Sequence, residues 1–176
     1  MVESLPILTE SLILRHFAPD DSLKVFNMSQ EAGIKKWIPD QVYRNEQQAC
    51  EVLGYLISQY NEPGDPLSGP YVLGVCLAET HELIGHAGLS PFKDSVEVGY
   101  AIEDKFQGLG YATKAVTSMS EWGIQKFALS QIFGIVSIDN VVSCRVLESS
   151  NFQLIDEFEG KLHDRQVVIR KYCKLL

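Results

Sequence analysis

Residues 97–116 read Glu97-Val-Gly-Tyr-Ala-Ile-Glu-Asp-Lys-Phe-Gln-Gly-Leu-Gly-Tyr-Ala-Thr-Lys-Ala-Val116. Alternating apolar residues predict a strand over Ser95–Ile102, and small residues at helical spacing predict a helix over Tyr111–Phe127. A polar, glycine-bearing loop, Glu103 to Gly110, joins them. A strand that runs through such a loop into a helix leaves several free backbone N–H groups beside the positive end of the helix dipole. The stretch therefore predicts an anion site suited to phosphate.

Two other phosphate-binding motifs fit these glycines less well. A P-loop requires Gly-Lys-Ser/Thr after the glycines, whereas Tyr111 follows Gly110. A dinucleotide fingerprint wants a third glycine where Thr113 stands and an acidic residue about twenty positions on, whereas Asp139 comes about thirty positions after the glycines. A nucleoside triphosphate site is excluded, a dinucleotide site is the weaker alternative, and a plain turn before a helix remains open.

The composition is that of one globular domain over residues 1–176, with 45% hydrophobic and 22% charged residues. The first residues have neither a basic region nor an apolar stretch of signal-peptide length, so we expect a cytoplasmic protein without a membrane partner. The formal charge of −8 disfavours nucleic acid as a partner and suits a cationic substrate. The four cysteines form no C-x-x-C pair, so we expect reduced thiols and no metal.

Hydrophobic patterning along the whole chain predicts an α/β (α+β) fold with a mainly antiparallel sheet and one strand–helix–strand crossover. Leu23 and Ile34 are expected on the buried side of the first helical region. Besides the elements above, the pattern predicts a strand within 5–17, helical turns from 19 to 38, a helix over 45–60, a surface loop over 61–70, strands over 71–78, 83–89 and 131–138, a helix over 139–150, and two strands within 152–174.

Two motifs carry a family resemblance. Gln107-Gly-Leu-Gly-Tyr-Ala112 matches the coenzyme A signature Gln/Arg-x-x-Gly-x-Gly/Ala of the Gcn5-related N-acetyltransferases, the GNAT family. Asn140-Val-Val-Ser-Cys-Arg-Val-Leu-Glu148, with Asn151-Phe152 after it, resembles the pattern Asn-x-x-Ser-x-Arg-Val-Leu-Glu then Gly-Phe of its Rim-type ribosomal-protein N-terminal acetyltransferases. Residues 9–15 also resemble the first strand of that subgroup. The resemblance implies a mostly antiparallel, twisted sheet of about six or seven strands flanked by about four helices.

Two positions depart from the Rim-type pattern. Asn151 stands in place of a glycine after a helix, and we expect the fold to tolerate it because Asn adopts the left-handed conformation more readily than other non-glycine residues. No tyrosine follows Asn140 in the helix, where many family members use one as general acid. Ser143 occupies a matching place and is a candidate proton donor, with a helix N-cap as the alternative role.

Glu97 is the candidate general base. Strand alternation puts Glu97 on one face with Gly99 and Ala101, whose small side chains leave room for a substrate beside the carboxylate. Attack of an amine on a thioester requires a neutral amine, a polarised carbonyl and a thiolate leaving group. The family resemblance supports the same residue, and a solvent-facing glutamate is the alternative.

The resemblance also implies acetyl-coenzyme A as co-substrate, with the pantetheine arm along the strand that carries Glu97 and the diphosphate on the amides of residues 107–112. The thiol end would then face Asn140 and Ser143. The implied cofactor-binding residues are Tyr100, Ala101, Ile102, Gln107, Gly108, Leu109, Gly110, Tyr111, Ala112, Thr113, Asn140 and Ser143.

The acceptor is predicted to be a primary amine, either a peptide or protein N-terminus or a small amine, attacking directly in a ternary complex. Its cleft is expected on the first two helices and the loop 61–70. A non-catalytic coenzyme A-binding protein is the alternative, and a monomer or homodimer is expected.

His81 and His86 resemble a zinc motif, but they lie five residues apart in a turn and strand rather than one helical turn apart, so the metal interpretation fails.

Overall fold

A computed structural model describes residues 4–61 and 64–176. Within these residues, eight strands form one sheet and five α-helices pack around it. The strands are β1 (Ile7–Leu8), β2 (Leu12–Arg15), β3 (Tyr71–Leu77), β4 (Leu83–Phe92), β5 (Ser95–Ile102), β6 (Gln131–Ser137), β7 (Gln153–Leu162) and β8 (Arg165–Leu175). The helices are α1 (Ser22–Ser29), α2 (Ala32–Trp37), α3 (Glu46–Ser58), α4 (Tyr111–Phe127) and α5 (Val141–Ser149).

The strand order is β1-β2-β3-β4-β5-β6-β8-β7. Neighbouring strands are antiparallel except β5 and β6, which are parallel because α4 forms the crossover between them. The parallel pair meets at Glu97 and Phe133, and no further pairing joins β5 to β6 within the described chain. The two strands therefore separate towards their carboxyl ends and leave a cleft in the middle of the sheet.

The predicted α/β fold class and mostly antiparallel sheet are confirmed, and the bounds of β5 and α4 are those expected. The predicted count of six or seven strands was low, because the first strand is a pair, β1 and β2, joined by a turn in which the Thr9 hydroxyl accepts from the Leu12 amide at 2.8 Å. Strand β4 also extends to Phe92, beyond the predicted end at residue 89.

The core lies on both faces of the sheet. The larger cluster packs α4 and α5 against the central strands, with Met119 and Val116 of α4 fully buried. The smaller cluster lies under α1 and α3 on the opposite face and contains Phe17 and Leu53. Ile34 is buried as expected, but Leu23 is 52% exposed because α1 buries its other side, at Met28 and Ser29.

The surface loop predicted over residues 61–70 is described only in part, because residues 62 and 63 lie outside the described chain. None of the helices described is both long enough and apolar enough to cross a bilayer.

Candidate active site

The loop between β5 and α4 depends on two glycines in the left-handed region. Gly108 has φ of 75° and Gly110, the N-cap of α4, has φ of 81°. A side chain at either position would be strained, since L-residues rarely adopt this conformation. A Cβ atom built on either glycine meets no atom within 4 Å, so the space above the loop is open.

Six consecutive amides at this loop are unused. No described residue accepts a hydrogen bond from the N–H groups of residues 108–113, and the first amide of α4 with a backbone partner is that of Lys114, which donates to the Gly110 carbonyl oxygen at 3.1 Å. Unpaired amides at the start of a 17-residue helix form a positive, donor-rich concavity. This is the geometry expected of an anion site, and phosphate remains the predicted ligand.

Gln107 stabilises the conformation of the loop through its own hydrogen bonds. Its amide donates to the Asp104 carbonyl oxygen at 3.2 Å, and its side-chain Nε2 donates to the Ile102 carbonyl oxygen at 2.9 Å. Both donors are therefore engaged in fixing the loop against the end of β5. The unused amides begin one residue later than the predicted range 107–112.

A cleft of about 690 Å³ runs from this loop into the gap between β5 and β6, and it is called the cofactor cleft below because the residues predicted to bind the cofactor lie along it. All of the predicted cofactor-binding residues line it except Leu109, whose side chain is 61% exposed. The cleft is also lined by Lys36 and Trp37 of α2, Arg145 of α5 and His163 in the turn between β7 and β8. Tertiary structure thus brings Lys36, Trp37 and His163, which belong to neither sequence motif, next to the motif residues.

The start of α5 closes the other end of the cleft. The Asn140 side chain accepts a hydrogen bond from the Ser143 amide at 3.2 Å, so Asn140 is the N-cap and the alternative role of Ser143 as cap is wrong. The Tyr100 hydroxyl donates to the Ser143 carbonyl oxygen at 3.4 Å. Burial raises the pKa of Tyr100 to about 12. Ser143 itself lines the cleft.

The end of α5 explains the asparagine in place of glycine. Asn151 has φ of 64°, and its amide donates to the Glu148 carbonyl oxygen while the Phe152 amide donates to that of Leu147. These two bonds form a Schellman motif, in which the left-handed residue is usually glycine. The prediction that Asn151 adopts this conformation is confirmed.

Glu97 lies half-buried on the face of β5 that carries Gly99. Burial raises the pKa of its carboxyl group, and the charge of His163 acts in the opposite direction. Glu97 lines neither the cofactor cleft nor the cavity described next, but its cross-strand neighbour Ser90 lines that cavity. The carboxylate is thus near the site but not at its surface.

A second cavity, of about 270 Å³, lies on the opposite face of the sheet, between the strands and helices α1 and α3. Gly99 and Ile34 line both this cavity and the cofactor cleft, so the two spaces meet across β5. Its walls include residues of the first helices, among them Val25 of α1 and Val52 of α3. Of the loop 61–70, Pro70 is the one described residue that lines it.

The sequence did not single out His86 as a site residue. It lies on β4 opposite Ala101 and lines the second cavity, where burial lowers the pKa of its imidazole to about 4. Its partner in the rejected zinc motif, His81, lies in an exposed turn with φ of 61°. Among the residues described, no three His, Cys, Asp or Glu side chains are grouped to hold a metal ion.

A hydrogen bond between His163 and Asp40 joins the two sides of the site. His163 Nδ1 lies 2.6 Å from Asp40 Oδ2, which connects the turn between β7 and β8 to the segment after α2. His163 lines the cofactor cleft and Asp40 lines the second cavity. The sequence predicted two strands within residues 152–174, which implies a turn between them. No sequence pattern predicted that this turn lies over the site.

Comparison with known proteins identifies this arrangement. The family model described as "Acetyltransferase (GNAT) domain" matches residues 11–153 of the chain. The chain belongs to the GNAT family. It is an acetyltransferase of the kind that uses acetyl-coenzyme A, and the mostly antiparallel sheet leaves no place for the dinucleotide-binding alternative.

Relatives and solved structures agree with this GNAT assignment. The chain is 25% identical over 144 residues to the "Uncharacterized N-acetyltransferase YnaD" of Bacillus subtilis, covering 81% of this chain and 79% of the relative. Its fold is similar to RimL, a ribosomal-protein alpha-N-acetyltransferase in complex with coenzyme A, with a TM-score of 0.82 at 14% identity, covering 99% and 98% of the two chains. It is also similar to a chimera of the spermidine N-acetyltransferase SpeG from Vibrio cholerae and hSSAT, with a TM-score of 0.75 at 19% identity, covering 93% and 95%.

Proposed function

We propose that this GNAT protein transfers the acetyl group of acetyl-coenzyme A directly to a primary amine, with both substrates bound at once. The observation that carries the proposal is the meeting of the two spaces at Gly99, from opposite faces of the sheet. An amine in the cavity and a thioester in the cleft would face each other where β5 has no side chain. Such mutual positioning removes much of the entropy cost of a bimolecular reaction.

The cofactor would bind with its diphosphate on the unused amides of residues 108–113 and its pantetheine arm in the gap between β5 and β6. Lys36 and Arg145, which line the same cleft, would add positive charge near the phosphates. The similarity to RimL in complex with coenzyme A supports this placement through the fold. The backbone of Tyr100–Ile102 would lie beside the thioester.

In the reaction, the amine nitrogen attacks the thioester carbonyl carbon, the C–N bond forms, and the C–S bond breaks. The proton of the amine passes to Glu97 through water, because the carboxylate lines neither space directly. The thiolate leaves with the electron pair of the C–S bond and takes a proton from Ser143 or from solvent. Since a thiol has a pKa near 8.5, a strong acid is unnecessary at this step.

The acceptor would be a small amine or the α-amino group of a peptide. An α-amino group has a pKa of about 8, against about 10.4 for lysine, so more of it is neutral at pH 7. Proteins of this fold include enzymes named for a protein N-terminus and for spermidine, and the fold therefore accepts both classes.

The proposal is tested by following coenzyme A thiol release with a panel of primary amines. Direct transfer predicts initial-rate lines that intersect when both substrates are varied, whereas an acetyl-enzyme would give parallel lines. Coenzyme A should raise the melting temperature, and NAD should not. Stabilisation by coenzyme A without release of thiol from any amine would favour the non-catalytic alternative and reject the proposal.

A further inference from the structure

We infer that the acceptor carries one apolar group of about the size of an aromatic ring next to its primary amine, and that this group occupies the cavity under α1 and α3. The inference rests on the proposed function, since it assigns the acceptor of the same site. It is carried by the shape and chemistry of the cavity walls.

The walls of the cavity are mainly apolar. They include Val25 and Met28 of α1, Val52 and Leu56 of α3, and Val72 of β3. An apolar ligand group is stabilised by leaving water for such a surface. A second ammonium group of a polyamine would lose its hydration against these apolar walls, where Asp40, already paired with His163, is the one carboxylate among the described lining residues.

The polar groups in the walls are either uncharged or already hydrogen-bonded within the protein. The Ser29 hydroxyl donates to the Phe26 carbonyl oxygen at 2.7 Å. Among the described residues that line the cavity, Asp40 is the one carboxylate, and it is paired with His163. His86 is uncharged at neutral pH because burial lowers the pKa of its imidazole to about 4. No described lining residue is a lysine or arginine that would attract a carboxylate on the acceptor.

The volume limits the size of the group. At about 270 Å³ the cavity is roughly twice the 150 Å³ apolar cavity that binds benzene in another protein. It therefore holds a ring and a short linker. Because the cavity opens to the cofactor cleft at Gly99, a linker of one or two carbons would carry the nitrogen towards the thioester.

The test compares kcat/KM for five acceptors with the full chain and saturating acetyl-coenzyme A. The apolar acceptors are phenethylamine and a peptide that begins with phenylalanine; their counterparts are ethylamine, spermidine and a peptide that begins with serine. At least about a tenfold preference for an apolar acceptor over its counterparts is expected. The better of the two apolar acceptors identifies the source as a small amine or a peptide.

A substitution that fills the cavity checks the location. Val52→Phe should lower kcat/KM for the preferred apolar acceptor at least about tenfold and leave the dissociation constant of coenzyme A unchanged. Val25→Phe, on a different helix, repeats the test if the first variant does not fold. Glu51→Phe adds the same ring on the exposed side of α3 and should leave the preference unchanged.

The outcomes separate the two proposals. Acetylation of spermidine or of the serine peptide in preference to both apolar acceptors overturns this inference and leaves the proposed function in place. The same holds if both cavity-filling variants fold and keep the wild-type preference. No acetylation of any amine, with coenzyme A still bound, rejects both.

Discussion

Gly88 of β4 lies directly opposite Gly99 of β5, so the sheet carries no side chain on the face covered by α1 and α3 at the point where the cleft and the second cavity meet. A Cβ atom built on Gly99 meets no atom within 4 Å, whereas one built on Gly88 would meet Val72 at 2.7 Å, so the open space lies over Gly99. Strand neighbours on either side, Ser90 and His86, line the same cavity. The geometry of this opening makes several outcomes testable.

A side chain at Gly99 should block the reaction without unfolding the chain. A Cβ atom built there meets no atom within 4 Å, so Gly99→Val is expected to fold. Its methyl groups would stand between amine and thioester and should lower kcat/KM at least about hundredfold. Gly54→Val, on exposed α3 and equally open, is the matched control. Thiol release at the wild-type rate by Gly99→Val would contradict the proposed meeting point.

Loss of the Glu97 carboxylate should slow transfer and change its pH dependence. Glu97→Gln is expected to lower kcat by about 10² to 10⁴ at pH 7. Because burial raises the pKa of Glu97, the acid limb of the kcat/KM profile should lie above the ordinary glutamate value of about 4.3. Activity should fall as pH decreases through that pKa, where the base becomes protonated. Glu159→Gln, an exposed carboxylate on β7, serves as control; a variant at residue 97 that retains the wild-type profile would remove the residue from the mechanism.

A methyl group on Gly110 should weaken cofactor binding more than folding. Gly110→Ala forces an L-residue to φ of 81°, which costs about 1–2 kcal/mol, and it places a carbon over the free amides. The dissociation constant of coenzyme A, measured by calorimetry, should rise at least about tenfold, since the strain acts on the loop that holds the ligand. Gly54→Ala is the control and should stabilise α3 slightly. Unchanged affinity would place the diphosphate elsewhere.

Substitutions should show that Asn140 has a structural role and Ser143 a chemical one. Asn140→Ala removes the cap of α5 and should lower the free energy of unfolding by about 0.5–2 kcal/mol. Ser143→Ala leaves that bond in place, because the amide donates, and should cost much less stability. If Ser143 donates a proton, its variant lowers kcat and leaves the coenzyme A affinity unchanged. Equal loss of stability in both variants, measured by urea unfolding, would contradict the assignment of the cap.

Asp21 should make the stability of the acceptor side depend on pH. Although burial raises its pKa, the hydrogen bonds from the Arg15 guanidinium, at 2.8 and 2.9 Å, and from the Ala18 amide outweigh burial and lower it. The stabilisation is therefore complete above the unfolded value of about 3.9 and is lost as pH falls through the lowered pKa. Asp21→Asn should cost about 1.5–3 kcal/mol at pH 7 and nothing below that pKa. A difference in unfolding free energy that does not change with pH would refute this.

The cofactor half of the site was largely predictable because it is local in the chain. The bounds of β5 and α4 and the left-handed Asn151 all follow from residues adjacent in sequence. The motif residues Gly108 and Gly110 line the cleft, and glycines and helix-start signals largely decide the backbone conformation of this loop. The sequence missed the bracing role of Gln107, because that role depends on the position of the Ile102 carbonyl oxygen.

The acceptor half was not predictable to the same extent. Leu23 was expected inside and is exposed, because the position of α3 decides which side of the short helix α1 is buried. His86 was considered only in the rejected zinc motif, and it lies on β4 in the wall of the second cavity. The pair of Asp40 and His163 joins residues 123 positions apart in the chain. No periodicity reports contacts of that separation.

By itself, the sequence determined the fold class, the crossover from β5 through α4 to β6, and a loop of free amides at the start of α4. These features depend on backbone conformation, which residues close in the chain specify. Only the tertiary structure decided that β5 and β6 separate after Glu97, that an apolar cavity under α1 and α3 meets the cleft at Gly99, and that a neutral His86 faces it. The reason is physical: a cavity is what remains after side chains from distant segments pack, and its walls, volume and burial exist only once they do.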